Sequence, residues 1–172
     1  VPTSSTINQL SIGDALAIST LNQKKISKKD FKKFHPSGNL GAKLRTVEEI
    51  MITGNKIPFV NGNLIMKKAL QIISNKKLGI LVVRNSKGIT TGVITDGQIR
   101  RFNEVNDNLQ SLTVKKVMTL NPISIDKDTL VEKALSIMNS KKVTSLCVHS
   151  KKNLKRTVGI LHIHKILETN IN

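Results

Sequence analysis

The apolar positions of this chain return as a set. Val47-x-x-Ile50-Met51 reappears as Val114-x-x-Val117-Met118. KKALQIISNKK, Lys67 to Lys77, reappears as EKALSIMNSKK, Glu132 to Lys142. LGILVV (Leu78 to Val83) matches VTSLCV (Val143 to Val148), and TGVITDGQI matches VGILHIHKI, which sets Gly92 against Gly159. The spacing is about 65 residues throughout, with a short indel at the turns. From about residue 47 onward the chain is a tandem duplication.

Both copies share one order of predicted elements. Thr46-x-x-Glu49 reads as a capping box that opens a short helical turn. An extended piece around a proline follows, KIPFV in the first copy and NPISI in the second. Leu64, Ile65, Ala69, Ile72 and Ile73 then recur near the helical period, with lysines between them. In the second copy Thr129-x-x-Glu132 predicts a capping box at this helix. Leu78–Val83 is β-rich, a turn at Asn85 and Gly88 leads into a strand over Ile89–Thr95, and a last helix begins near Asp96. Neither copy is long enough to bury its own sheet well, so two related copies are expected to cover each other.

Residues 1–45 stand outside the repeat. Ser11-x-x-Asp14 predicts one helix start, and Ser27-x-x-Asp30 predicts another. The second helix should stop at His35-Pro36, because a residue before proline avoids the α region.

Composition narrows the classes. A hydrophobic fraction of 38% with four Phe and neither Tyr nor Trp predicts an almost purely aliphatic core. No apolar run approaches the roughly 20 residues of a membrane span. The net charge of +17 raises nucleic acid as a partner. Yet the charge is mostly Lys scattered in pairs, Arg is scarce, and the aromatic platforms that stack on bases are few. A solvated basic surface is the expectation, with no nucleic-acid or membrane partner. The single Cys147 cannot form an internal disulfide, which fits a reducing cytoplasm. It is expected in the core and His149 in a turn. His162-x-His164 is too short a pattern for a zinc site, so no metal is expected.

The duplicated grammar, with GVITDGQIRR and VGILHIHKIL closing the copies, resembles a tandem pair of CBS domains. The resemblance implies an α/β fold with pseudo-two-fold symmetry, a first domain over 46–107 and a second over 112–172. It also implies clefts that often bind adenosine-type ligands, through a hydroxyl residue and an Asp three positions later. Here Thr95 is followed by Gln98, and His162 by Lys165, so neither ribose-binding acid is present. Arg100, Arg101, Lys165 and the helix start at Asp96, with His162 and His164 nearby, are candidates for a cationic cleft that takes a phosphate or carboxylate.

PTSSTxxxxxxGDALA, then HPxGxLGxxL, then a CBS pair ending in HxH, is similar to the C-terminal part of D-arabinose 5-phosphate isomerases. That resemblance implies that residues 1–45 are the helical remnant of a sugar-isomerase (SIS) domain in a cytoplasmic enzyme. Such an enzyme interconverts D-ribulose 5-phosphate and D-arabinose 5-phosphate on the route to Kdo and lipopolysaccharide. By the same resemblance His35 matches a proposed catalytic histidine, one an acid/base step of isomerisation could use. The family's upstream Lys and Glu have no counterpart, so the chain alone is expected to be inactive. The expected role is regulation and self-association through the CBS pair, with no cofactor. CMP-Kdo is expected as ligand ahead of AMP or ATP. The alternatives are a purely structural oligomerisation module or a basic nucleic-acid-binding protein.

Overall fold

The computed structural model describes residues 3–26, 30, 44–104 and 108–170. The helix expected at Ser27, and His35 with it, lie outside the described residues. The chain divides into two compact units, Val1–Leu44 and Arg45–Asn172.

In the first unit α1 runs from Thr3 to Gln23. This corrects the helix start expected at Ser11, which instead lies mid-helix with its Oγ donating to the Ile7 carbonyl at 2.9 Å. Thr20 donates to Leu16 in the same way. A hydroxyl that satisfies itself on the carbonyl four residues back leaves the helix unbroken. The apolar side chains of α1 are exposed and lie on two sides: Ile7, Leu10, Ile18 and Leu21 on one, Ile12 and Leu16 on the other.

The second unit holds α2 (Val47–Ile50), β1 (Ile52–Thr53), a 3₁₀ turn (Gly54–Lys56), β2 (Phe59–Asn61), α3 (Met66–Lys76), β3 (Ile80–Arg84), β4 (Thr90–Thr95) and α4 (Asp96–Asn103). After a second 3₁₀ turn (Leu109–Ser111) come α5 (Val114–Val117), β5 (Thr119–Leu120), β6 (Ser124–Asp126), α6 (Val131–Lys141), β7 (Ser145–His149), β8 (Gly159–His162) and α7 (Ile163–Asn170). The strands form two four-stranded sheets, β2-β3-β4-β5 and β1-β8-β7-β6. In each sheet the β2–β3 or β6–β7 pair is parallel and the remaining pairs are antiparallel. The sheets correspond strand for strand, with one exchange. β1 of the first copy edges the second copy's sheet, and β5 of the second copy edges the first copy's sheet.

The exchange extends to the helical turns. Val47 is buried in the second copy's core, and Val114 and Val117 in the first copy's core. The copies that are separate in sequence are therefore interleaved in space. Gly92 and Gly159 make the exchange possible. A Cβ on Gly92 would stand 2.7 Å from the Thr119 carbonyl oxygen, and one on Gly159 would stand 2.4 Å from Met51 Sδ.

Three apolar clusters hold the unit. One lies between the first sheet and α3, one between the second sheet and α6, and one between the two sheets. Alternate residues of β3 feed two of them: Leu81 and Val83 face the helix side, Ile80 and Val82 the inter-sheet layer. Burial on both faces explains why this strand reads as a continuous apolar run. Cys147 lies in the inter-sheet layer, as its position in the repeat predicts.

The capping box at Thr46 is present, with Thr46 N donating to Glu49 Oε1 at 3.0 Å. The one expected at Thr129 is not: α6 starts one residue later, with Leu130 at its N-cap. Leu130 bridges to Thr46, and Val131 N donates to the Arg45 carbonyl at 2.9 Å. A backbone partner just ahead of the first copy takes over the role of a capping side chain. Ile65 likewise lies just outside α3, bridging to Thr113.

Candidate functional site

A cleft of about 440 Å³ opens where the entry segment of the first copy meets the last helix of the second. Three lysines line it: Lys56 from the 3₁₀ turn, Lys76 from the end of α3, and Lys165 from α7. Ile50, Met51, Ile52 and Leu78 give an apolar wall, and Thr53 and Asn75 add polar groups. Among the described residues no carboxylate lines the cleft. Lys76 Nζ donates to the Asn55 carbonyl at 2.6 Å, which ties the 3₁₀ turn to α3. Lys165 Nζ pairs with Glu168 Oε2 at 2.5 Å on the exposed side of α7. An exposed pair of this kind is weak and yields readily to a multiply charged ligand. The arrangement can hold an anion with an apolar body beside it.

The sequence-derived candidates separate into different places. Lys165 lines the lysine cleft. Arg100 and Arg101 do not; both are exposed on α4. Thr95 is the N-cap of α4, and its hydroxyl accepts from Gln98 N at 3.3 Å. Gln98 Nε2 donates to the Val117 carbonyl at the end of α5. The side chain at the position of the missing acid therefore binds the other copy's backbone. Asp96 begins α4 and lies against Gly79.

His162 and His164 stack with ring centroids 4.9 Å apart, and His164 N donates to His162 Nδ1 at 3.2 Å. Burial, and then the neighbouring His164, hold the His162 pKa below its ordinary value. No group of three or more His, Cys, Asp or Glu is placed to hold a metal among the described residues. Cys147 is buried, and burial pushes its thiol up to about 11, so the thiol is protonated near neutral pH. His149 is not a turn residue. It ends β7 in register with Asp126, because the strand runs one residue further than its apolar pattern.

Lys56 and Lys76 escaped the reading of the sequence. One signal pointed to Lys56. Gly54 and Asn121 are counterparts, both at positive φ, and Phe59 and Ser124 open matching strands. The first copy therefore carries two extra residues between these landmarks, and Lys56 belongs to that extra turn.

A match to the CBS domain covers residues 47–104 and 114–171. Along its length the chain is similar to arabinose 5-phosphate isomerases. It is 36% identical to KpsF of Escherichia coli over 163 residues, 94% of this chain and 49% of that protein. It is 36% identical to KdsD of Salmonella typhi over 171 residues, 99% of this chain and 51% of that protein. The chain thus spans about half the length of these relatives. Among solved structures it resembles CBSX2 in complex with AMP, with a TM-score of 0.63 at 20% identity, over 73% of this chain and 96% of that one. An uncharacterised conserved protein of Pyrococcus horikoshii gives a TM-score of 0.66 at 22% identity, over 76% and 95%. Two matched segments that cover both copies, on a fold shared with solved CBS-pair structures, establish that the chain belongs to the CBS domain family and carries two such domains in tandem.

Proposed function

We propose that residues 45–172 are the regulatory module of an arabinose 5-phosphate isomerase, and that the lysine cleft is where it reads an anionic metabolite. The convergence of Lys56, Lys76 and Lys165 on one cleft, with no carboxylate lining it among the described residues, carries this reading. A ribose diol would meet lysine donors there where an acid is needed, so AMP is a poor fit. A nucleotide sugar with both a phosphate and a carboxylate, CMP-Kdo, suits three ammonium groups better. In the parent enzyme the first unit would belong to the SIS domain. The apolar side chains of α1, spread over two sides, fit a helix buried within a larger body. The chain alone is expected to turn over no D-ribulose 5-phosphate.

Thermal-shift titration with CMP-Kdo and with AMP tests the cleft, because a ligand of the folded state raises apparent stability. CMP-Kdo is expected to raise the melting temperature and Lys165→Ala to weaken that response; AMP is expected to have little effect. A flat response to CMP-Kdo at millimolar concentration overturns the ligand assignment.

A structural role is a second reading, favoured by the Gln98 bond to Val117, which spends a candidate ligand-binding side chain on joining the copies. Self-association belongs with it, since Ile65, Leu120 and Leu167 are exposed apolar groups on the second unit. Sedimentation velocity with and without CMP-Kdo separates a fixed assembly from one that responds to ligand.

A further inference from the structure

The duplication gives each position a counterpart, and one set of counterparts differs sharply in volume. In the first copy Phe59 pairs with Val82, and the Arg84 guanidinium carbon lies 4.2 Å from the Phe59 ring centroid. At the same register of the second copy stand Ser124, Cys147 and His149. A ring and the guanidinium stacked on it are replaced by a hydroxymethyl group and an imidazole. The second copy has a cavity of about 310 Å³ there, bounded by Ser124, Cys147, His149 and, from the first copy, Ile89 and Thr90.

The rim of this cavity is held in place. Thr90 and Thr157 are counterparts, and their hydroxyls hydrogen-bond to each other at 2.8 Å. Thr157 N donates to Thr90 Oγ1 at 3.0 Å, and Thr90 N donates to the Lys155 carbonyl at 2.9 Å. Arg156 Nη2 donates to the Lys87 carbonyl at 2.8 Å. Two hairpins from different copies are thereby clamped before any ligand arrives, which lowers the ordering cost of binding.

The lining has a definite chemistry. Lys155 brings a cation, and Ser124, Thr157 and Asn121 bring neutral donors. Ile89, Pro122 and Leu154 form an apolar wall, and among the described residues no carboxylate lines the space. Asp126 stands behind His149, with Oδ2 4.0 Å from Nδ1. Both atoms are buried and have no hydrogen-bond partner. At that separation they do not bond each other. The imidazole thus borders the cavity while its unpartnered Nδ1 is buried on the side of Asp126.

We propose that this cavity is a binding site for a small organic oxyanion, a phosphate or carboxylate on a compact body, separate from the lysine cleft. The space equals roughly ten waters at about 30 Å³ each, enough for a three-carbon acid or phosphate ester and too small for a nucleotide sugar.

NMR titration of the chain with glycerol 3-phosphate, D-glycerate and inorganic phosphate tests the site. Saturable shifts at Ser124, His149 and Thr157 are expected with at least one of the first two, and the arms tell phosphate from carboxylate. Ser124→Phe rebuilds the first copy's filling and is expected to weaken binding at least tenfold. Lys155→Gln serves the same end without a change of packing, and Lys165→Ala is expected to leave binding intact. The proposal is overturned by silent cavity resonances at about 10 mM of every probe. It is equally overturned by unchanged binding in Lys155→Gln and a folded Ser124→Phe, by shifts with inorganic phosphate alone, or by loss of the shifts in Lys165→Ala, which would assign them to the lysine cleft.

Discussion

Gly92→Ala tests whether the exchange of edge strands holds the two copies together. The added methyl would stand 2.7 Å from the Thr119 carbonyl oxygen, 2.9 Å from Met118 Sδ and 3.1 Å from Met118 Cγ. Ordinary carbon–oxygen contacts between strands begin near 3.3 Å, so β5 must retreat by roughly 0.6 Å. β5 is only two residues long, and its whole pairing with β4 is Gly92 with Leu120 and Val93 with Thr119. Retreat also disturbs Val117, which is packed in the first copy's core. Overpacking of this kind costs about 1–3 kcal/mol, and the lower chain entropy of Ala in the unfolded state returns about 0.4–1 kcal/mol. A net loss of about 1–2 kcal/mol corresponds to a melting temperature lower by about 4–8 °C for a unit of this size. Gly159→Ala is the internal comparison. Its methyl meets Met51 Sδ at 2.4 Å, a side chain that can swing aside, while its nearest backbone atom, Ile52 O, is 3.3 Å away. Calorimetry of both variants should therefore show the larger drop for Gly92→Ala. A Gly92→Ala melting temperature within about 1 °C of the parent chain, or a larger loss for Gly159→Ala, refutes the reasoning.

Other outcomes follow from the same structure. The folded Cys147 thiol titrates at about 11 against 9.0 for a free thiol, so it contributes stability below pH 9 that is lost as pH rises through 11; urea melts across that window should lose this slope in Cys147→Ala. The lowered pKa of His162 favours the neutral ring in the folded state, so its contribution is present above the ordinary value of 6.5 and lost as pH falls below it. NMR titration of the His162 ring should show this, and His164→Ala should move the pKa part of the way back up. Glu49→Ala removes the acceptor for Thr46 N and should cost about 0.5–2 kcal/mol in denaturant melts, as loss of a helix cap does.

The features that sequence could carry are those with local causes. Lys77 and Lys142 end the two long helices in matching left-handed conformations, at φ 53° in both, as their places in the repeat demand. The order of elements along each copy, the helix at Asp96 and the buried Cys147 likewise follow from periodicity and turn chemistry, which act over a few residues. The misjudged starts at Ser11 and Thr129 have one cause in common. Each motif can cap a helix, but a different bond formed: the Ser11 hydroxyl donates to the Ile7 carbonyl inside a continuous helix, and Val131 N donates to the Arg45 carbonyl.

By itself the sequence determined that the chain is a duplication and which elements each copy holds, because these are matters of periodicity and spacing; Gln98 and Lys165 stand out only against the resemblance to CBS pairs. Only the tertiary structure decided which copy each edge strand serves, that Lys56 and Lys76 join Lys165 while the arginines do not, and that Ser124 leaves open the space Phe59 fills. Those outcomes depend on distances between residues far apart in the chain. Such distances are set by how two sheets pack against each other, and no short pattern encodes them.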